Sequence, residues 1–121
     1  MTPAAPPRPE YFLTPEELAA WFRSNPSATE VWIGLWKKGH ERPGISYAEA
    51  VDEALCEGWI DSVVRRVDEA GYMVRLTPRR PRSNWTDTNL RRVEELRREG
   101  RLRAGGERAV AARRVAERPE R

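Results

Sequence analysis

Residues 46–77 read SYAEAVDEALCEGWIDSVVRRVDEAGYMVRLT, and this stretch decides the fold. Its first part begins with the Ser-x-x-Glu pattern of a capping box at Ser46 and ends at Gly58, which predicts a helix. Two strand-like runs follow at 59–67 and 72–77, joined by a short connection that contains glycine. Such a pair of runs predicts a β-hairpin directly after the helix.

The predicted helix has a face that can pack against a sheet. Four apolar residues have the three- and four-residue spacing of a buried stripe: Ala50, Val51, Ala54 and Leu55. The acidic residues Asp52, Glu53 and Glu57 are expected to lie largely on the opposite side. Cys56 sits between these two groups, and we predict a buried small apolar residue there, not a reactive thiol.

Upstream of this stretch, the sequence predicts another helix and a strand. Thr14 is expected to cap the helix, with Glu17 completing a capping box. The helix should end near Ser24, because Asn25 precedes a proline and such residues are pushed out of the helical region. Residues 30–37, EVWIGLWK, alternate apolar side chains on both faces, which predicts a strand that is at least partly covered on both sides.

Downstream, two further helices complete the pattern. Thr86 can cap a helix over residues 87–98, and a weaker helix is predicted over 107–117, where the apolar residues are mostly alanine. The order helix, strand, helix, strand, strand, helix, helix predicts a single α+β domain over residues 11–117. We expect about three antiparallel-leaning strands and about four helices.

Composition agrees with one soluble domain. The 121 residues fit a single domain, since domains commonly hold about 100–150 residues. Residues 1–10 and 118–121 are predicted to be flexible tails. No apolar run approaches the roughly 20 residues of a membrane span, and the N-terminus lacks a secretory signal pattern, so we predict a cytoplasmic protein. The single cysteine excludes an internal disulfide and a thiolate zinc cluster within one chain.

Charge is distributed unevenly along the chain. Residues 1–71 hold seven Lys and Arg against twelve Asp and Glu, a net charge of −5, whereas residues 72–121 hold fifteen arginines against seven acids, a net of +8. A basic half suggests an anionic partner. For the last helix, we favour the simpler explanation that its arginines form a solvated helix face.

The densest basic stretch is RLTPRRPRSNWTDTN at 75–89, and it is the main candidate site. Arginine suits phosphate or carboxylate, proline fixes a loop, and indole offers a face for stacking. The predicted ligand-binding residues in it are Arg79, Arg80, Arg82, Ser83, Trp85 and Asn89, with Asn84 and Thr86 as further donors. Arg80 and Arg82 are preferred, since residues two apart share one side of an extended loop. Trp85 either stacks on a base or sugar or anchors the loop in the core.

Four residues outside this loop are also considered. Lys37 and Lys38 form a second basic turn, which faces the same groove if the loop folds back across the sheet. Asp61 follows the helix stop and is interpreted either as a base or, preferentially, as a structural partner of a loop arginine. His40 lies in a polar turn and is expected to be solvated. We predict no catalytic residue, metal or cofactor, since one His and one Cys form no recognisable catalytic set.

Four pieces of the chain together resemble the YdeI/OmpD-associated family, also called bacteriocin-protection proteins. They are VWIGLWKKG at 31–39, SYAEAVDEALCEGWIDS at 46–62, TPRRPRSNWTDTN at 77–89 and the helix that ends at Gly100. An apolar helix running into GWID and a later TPR-x-P-x-S-x-W-x-x-x-N do not readily coincide by chance. The resemblance covers most of residues 12–112.

The resemblance implies a small bacterial α+β protein associated with stress or antimicrobial-peptide tolerance, without an established catalytic mechanism. Members often continue past the position that corresponds to Arg114, so it also implies a short member. From the residues, we expect a non-enzymatic binding module for an anionic ligand, either nucleic acid, which we favour, or a phosphorylated small molecule. One alternative is an enzyme or small-ligand protein with a pocket around Asp61 and Arg80, which Ser83, Trp85 and Asn89 would also line. The other is a module that binds a protein partner in envelope-stress or antimicrobial-peptide tolerance.

Overall fold

The computed structural model describes residues 7–116, and within them it contains four helices and three strands in the predicted order. The helices are α1 Pro15–Ser24, α2 Tyr47–Glu57, α3 Asp87–Arg98 and α4 Ala104–Ala116, and the strands are β1 Val31–Trp36, β2 Trp59–Arg66 and β3 Gly71–Pro78. The small α+β domain is therefore confirmed. The predicted tail at 118–121 lies outside the described residues, as do the first six residues of the tail at 1–10.

The three strands form one antiparallel sheet in the order β1-β3-β2. The predicted hairpin is confirmed as β2 and β3, with an irregularity in their register between Asp61 and Val64. Glu10 forms a parallel bridge with Ile33 of β1, so the ordered chain begins before the predicted boundary at residue 11. Within the described residues, no helix is long and apolar enough to cross a membrane.

The sheet has two unlike faces. One face packs under α1 and α2, where Ile33 and Val74 lie opposite each other in the main core cluster. No helix of residues 7–116 packs on the other face, and we call it the helix-free face. Its cross-strand neighbours, as the register gives them, are Trp32 with Arg75, Arg65 with Met73, and Ile60 with Thr77.

The helix-free face is partly covered near β1 by an aromatic side chain. The ring of Tyr11 lies over Gly34, where an added Cβ would be 2.3 Å from a ring carbon, and it stacks on Trp36. A residue larger than glycine at position 34 would therefore displace the ring. This covering confirms the expectation that both faces of β1 are partly buried.

The predicted helix starts are reproduced, with one difference at α1. Ser46 and Glu49 form the complete capping box of α2, and Gly58 ends that helix with a positive φ of 82°. At α1, Thr14 accepts a hydrogen bond from the backbone of Glu17, as predicted. The Glu17 carboxylate accepts instead from the backbone N–H of Leu13, at 2.7 Å, so the predicted box does not close on Thr14.

Helix α4 begins at Ala104, earlier than the predicted residue 107, and its predicted end at Glu117 lies outside the described residues. Two glycines, which the sequence presents as helix breakers, form its first turn because α4 packs closely against the end of α2. An added Cβ would be 2.4 Å from the carbonyl oxygen of Glu57 at Gly105 and 2.6 Å from that of Cys56 at Gly106. Only glycine permits this approach.

One acidic residue of α2 lies where the sequence did not predict it. Glu53 is 5% exposed, so its expected position on the solvent side was wrong. The chain after α3 returns to α2 and brings the guanidinium groups of Arg101 and Arg103 within 3.1 Å and 3.0 Å of the Glu53 carboxylate. A buried carboxylate requires such partners. Cys56 is fully buried, as predicted, and burial raises the pKa of its thiol to about 11.

Candidate functional site

Residues 79–86 connect β3 to α3, and we call them the arginine loop. The backbone of Ser83 donates to the carbonyl of Arg80, at 2.9 Å, and the backbone of Arg80 donates to Ser83 Oγ, at 2.7 Å. These two bonds close a turn over residues 80–83. The prediction of an extended loop was therefore wrong, because the Ser83 side chain favours the turn over an extended backbone.

Arg79 fastens the arginine loop to the domain. Its Nε donates to the carbonyl of Trp59, at 3.2 Å, and its Nη1 donates to that of Asn84, at 2.6 Å. Its guanidinium carbon lies 3.9 Å from the ring centroid of Trp85, which is a cation–π contact. Burial lowers the pKa of Arg79 to about 10, so it stays charged at neutral pH. Arg79 is occupied by these contacts and has a structural role.

Trp85 anchors the same loop. Its ring packs against the second core cluster, which contains Leu55 and Leu96, and the Arg79 guanidinium lies over the ring. Its Nε1 is buried and has no hydrogen-bond partner among residues 7–116. Of the two interpretations considered for Trp85, these contacts favour the core anchor over a stacking surface for a base.

A cavity of about 440 Å³ lies between the arginine loop and the helix-free face, and we call it the arginine groove. Its polar lining consists of three arginines and three hydroxyl side chains: Arg75, Arg79, Arg80, Thr29, Thr77 and Ser83. The remaining lining residues are Ile60 and Pro78, so no carboxylate lines the groove. Arg75 forms an ion pair with Glu30, at 2.8 Å, which compensates its charge.

The uncompensated charges of the loop belong to Arg80 and Arg82. Both residues are exposed, and neither guanidinium has a hydrogen-bond or ion-pair partner within the described part of the chain. Arg80 also lines the groove. Arg79 and Trp85 hold the loop in place. Its two free guanidinium groups can therefore donate hydrogen bonds to an anion without breaking an internal bond.

Asn89 and Thr86 are used by α3. Asn89 Oδ1 accepts from the Thr86 backbone, at 3.2 Å, and Thr86 Oγ1 accepts from the Asn89 backbone, at 3.0 Å. Asp87 adds a negative charge to the first turn. Asn89 also lines a different cavity, of about 710 Å³, between α2 and α3. These contacts hold both side chains in the cap of α3 and away from the arginine groove.

Asp61 is a structural anchor on the core side of the sheet. The hydroxyl of Tyr47 donates a hydrogen bond to its carboxylate, and Asp61 lies opposite the buried Leu76. Burial and this hydrogen bond raise the pKa of Tyr47 to about 12. The predicted partner of Asp61 was an arginine; its hydrogen-bond partner is Tyr47, although its charge also acts on Arg79. The pocket in which Asp61 was expected to join Arg80, Ser83, Trp85 and Asn89 is not formed, since of these five only Arg80 and Ser83 line the groove.

Lys37 and Lys38 do not share the groove. Trp36, the last residue of β1, lies opposite Gly71, the first residue of β3, whereas the arginine loop follows Pro78. The two ends are about 23 Å apart along the strand, at roughly 3.3 Å per residue. The prediction that both basic segments face one groove was wrong because β1 and β3 are antiparallel. His40 is exposed, and residues 7–116 contain no cluster of three His, Cys, Asp or Glu that could hold a metal.

The structure also groups side chains that sequence reasoning did not select. Glu30 accepts from Arg75 Nε, at 2.8 Å, and from Trp32 Nε1, at 3.2 Å. The guanidinium carbon of Arg65 lies 6.0 Å from the Trp32 ring centroid. The alternation of β1 already placed Trp32 away from Val31 and Ile33. The register of the three strands could not be predicted from the sequence, and it is this register that brings Arg65 and Arg75 to the same face.

Residues 10–109 match the family model described as "Domain of unknown function (DUF8412)". No curated protein and no solved structure matches the chain significantly. The family description assigns no ligand or reaction, and the resemblance to YdeI/OmpD-associated proteins stays a prediction. Because the match spans well over half of the 121 residues, the chain belongs to the DUF8412 family.

Proposed function

We propose that this protein binds an anionic ligand at the arginine groove, with nucleic acid as the favoured class. One observation carries the proposal: among residues 7–116, Arg80 and Arg82 are exposed and have no partner, and they lie beside a groove whose lining contains arginines and hydroxyl groups but no carboxylate. Phosphate is the anion that such donors suit best, because guanidinium presents paired N–H groups and hydroxyls add neutral bonds.

The distribution of paired arginines supports this location for the site. On the helical side of the molecule, Arg92, Arg97 and Arg103 are all engaged by carboxylates at 3.0 Å or less. The net charge of residues 72–121 therefore overstates the charge that a ligand can reach. Arg80 and Arg82 of the arginine loop pair with no carboxylate of residues 7–116, so an approaching polyanion gains attraction there without competing with an ion pair of this part of the chain.

Nucleic acid is favoured over a single small phosphate compound because the free charge lies on an exposed loop, outside an enclosed pocket. A polyanion contacts several separate cations at once and releases counterions as it binds. On the resemblance alone, we also propose a cytoplasmic role in stress or antimicrobial-peptide tolerance.

The test is a fluorescence titration with single-stranded and duplex oligonucleotides at two salt concentrations. The variant is Arg80→Gln, Arg82→Gln, and the control is Arg23→Gln, Arg98→Gln, which removes the same charge from two exposed helical positions. We expect wild-type binding to weaken with salt, and the loop variant to lose affinity and to show a smaller salt slope, by about 0.7–0.9 for each lost phosphate contact.

Two results would overturn the proposal. One is the absence of wild-type binding to any oligonucleotide at low salt, together with no binding of a phosphorylated metabolite in a screen. The other is an equal loss of affinity in the loop variant and in the control, which would assign the binding to net charge alone. Salt-tolerant binding of one metabolite, lost only in the loop variant, would replace nucleic acid by a small phosphorylated ligand.

A further inference from the structure

The arginine groove continues into a second cavity on the helix-free face. This second cavity, of about 510 Å³, is lined by Pro7, Glu30, Trp32, Val63, Arg65 and Arg75, and we call it the tryptophan cavity. Arg75 lines both cavities. The two therefore form one path across the sheet, from Arg80 at the loop to Arg65 on β2.

Trp32 lies in this path with part of its surface exposed. Its indole is partly buried and lines the cavity, and its Nε1 donates to Glu30. Glu30 also accepts from Arg75, so the one carboxylate of the tryptophan cavity is engaged by two donors. The Glu30 carboxylate fixes the indole edge of Trp32, and its ion pair with Arg75 leaves little net charge at this point of the path.

Free positive charge lies at both ends of the path. Arg65 is exposed and contacts the Trp32 ring at 6.0 Å, with no carboxylate partner among the described residues. It lies opposite Met73, five residues before the end of β3, which separates it from the end of that strand by about 17 Å along the sheet. Cations at this spacing fit an extended polyanion better than one compact phosphate group.

An indole between two sites of positive charge favours unpaired bases. Stacking on an aromatic side chain requires a base with a free face, and bases of a single strand provide one. In a duplex, each internal base is already stacked on its neighbours. An aromatic side chain on a β-sheet among arginines is therefore suited to a single strand, in which backbone phosphates meet the cations and bases meet the ring.

We infer that the ligand is single-stranded nucleic acid, which runs from the arginine loop over the helix-free face, stacks a base on Trp32 and places a phosphate at Arg65. This inference rests on the proposed function. It adds the strandedness of the ligand, its course across the sheet and two residues outside the arginine loop that contact it.

The first test replaces Trp32. Trp32→Phe retains an aromatic face and Trp32→Leu does not, while Trp36→Phe is the control, since Trp36 lies on the same strand and face but is stacked on Tyr11. We expect Trp32→Leu to weaken single-strand binding roughly 5- to 100-fold, as for loss of one base stack, with an unchanged salt slope. Trp32→Phe should retain most of the affinity. Circular dichroism confirms that each variant is folded.

The second test compares two neighbouring arginines. Arg65 lies opposite Met73, on the helix-free face, and Arg66 lies opposite Tyr72, on the other face, and both are exposed. Arg65→Gln and Arg66→Gln change the net charge equally. We expect Arg65→Gln to weaken binding and to lower the salt slope by about 0.7, the value for one single-strand phosphate contact, and Arg66→Gln to leave both near the wild-type values.

The outcomes separate this inference from the proposed function. If the loop variant loses affinity but Trp32→Leu and Trp32→Phe bind as the wild type does, or if duplex binds as tightly as single strand, the inference is overturned and the proposed function stands. Equal effects of Arg65→Gln and Arg66→Gln would overturn the proposed course. No binding of any oligonucleotide would overturn both this inference and the choice of nucleic acid as the ligand class.

Discussion

Arginines on the two sides of this molecule differ in what they contact, although the sequence presents them alike. On the helical side, Arg101 and Arg103 converge on the buried carboxylate of Glu53. In the arginine loop, Arg80 and Arg82 are exposed and have no partner in the part of the chain that the structure describes. Guanidinium groups of the first kind stabilise the fold, and those of the second kind remain available to a ligand.

The physical difference is the position of the acidic side chains. Helix α2 carries Asp52, Glu53 and Glu57. Helix α3 and the chain after it pack against α2, so Arg92, Arg101 and Arg103 each meet one of these carboxylates. Glu53 in turn depends on those arginines, because a buried carboxylate without partners is strongly unfavourable. The arginine loop returns instead to the sheet, where its lining contains hydroxyl groups.

The largest expected effect comes from breaking the helical cluster. Arg103→Met keeps an apolar stem but removes the bonds to Glu53 and Glu57, of 3.0 Å and 2.9 Å. Because Glu53 would keep only Arg101, we expect the free energy of unfolding to fall by about 3 kcal/mol, the lower end for a broken buried pair. Urea unfolding followed by circular dichroism measures it. A change within about 0.5 kcal/mol, as expected for the exposed control Arg98→Met, would contradict the importance of the cluster.

A smaller effect is expected at Arg79, which lies in the loop but behaves like the helical arginines. Arg79→Lys retains the charge and cannot reproduce both carbonyl bonds and the contact with Trp85. We expect a loss of about 1–2 kcal/mol in unfolding free energy, from one or two lost hydrogen bonds. Ligand affinity should fall as well, because the loop that carries Arg80 and Arg82 is no longer fixed.

The measurement at Arg79 pairs urea unfolding with the oligonucleotide titration. A fall in affinity with unchanged stability would assign Arg79 a direct ligand contact and would contradict its structural role. Asn84 offers a control, since its carbonyl is the acceptor and its side chain is not used in this bond. Asn84→Ala should therefore leave the anchoring of Arg79 intact.

Much of the fold could be predicted because its signals are local. Ser46 with Glu49 and Thr86 with Asn89 mark helix starts within four residues, and Gly58 ends a helix through a backbone conformation that favours glycine. The hairpin follows from alternation and a short turn. Gly105 and Gly106 could not be interpreted in this way, since the close approach that requires them involves a helix about fifty residues earlier.

The candidate site was selected from the sequence, but the roles of its individual residues were not predicted. The arginine loop was selected by composition, which does not state which arginine contacts a carbonyl and which faces solvent. Sequence proximity grouped Trp85 and Asn89 with Arg80, whereas the fold assigns the first to the core and the second to a helix cap. Trp32 and Arg65 were missed as a pair because strand register relates them through β3.

A modest effect of pH on stability is expected from the hydrogen-bonded pair of Tyr47 and Asp61, which contains no arginine. Tyr47 donates to Asp61, and burial with this bond raises the pKa of Tyr47 to about 12 from an ordinary value of 10. The folded state therefore holds the phenol proton more tightly than the unfolded state. This contribution to stability is complete below about pH 10 and is lost as the pH rises toward 12.

The measurement is the phenolate absorbance and the unfolding free energy of wild type and Tyr47→Phe between pH 9 and pH 12. The difference titration should place the Tyr47 transition near the upper end of this range, with wild-type stability falling more steeply than that of the variant. A difference titration centred at the ordinary value of 10 would show that the bond to Asp61 does not persist in solution.

The smallest expected change in stability is at the free arginines. Arg80→Gln, Arg82→Gln removes no intramolecular bond of either guanidinium, so the unfolding free energy should stay within about 0.5 kcal/mol of the wild-type value. With an oligonucleotide present at about a hundred times its Kd, the wild type should gain about 2.7 kcal/mol from ligand binding. The variant should gain less, because fewer phosphate contacts remain. A variant that is destabilised without ligand would mean that these two guanidinium groups have internal partners, and the distinction between the two sets of arginines would then fail.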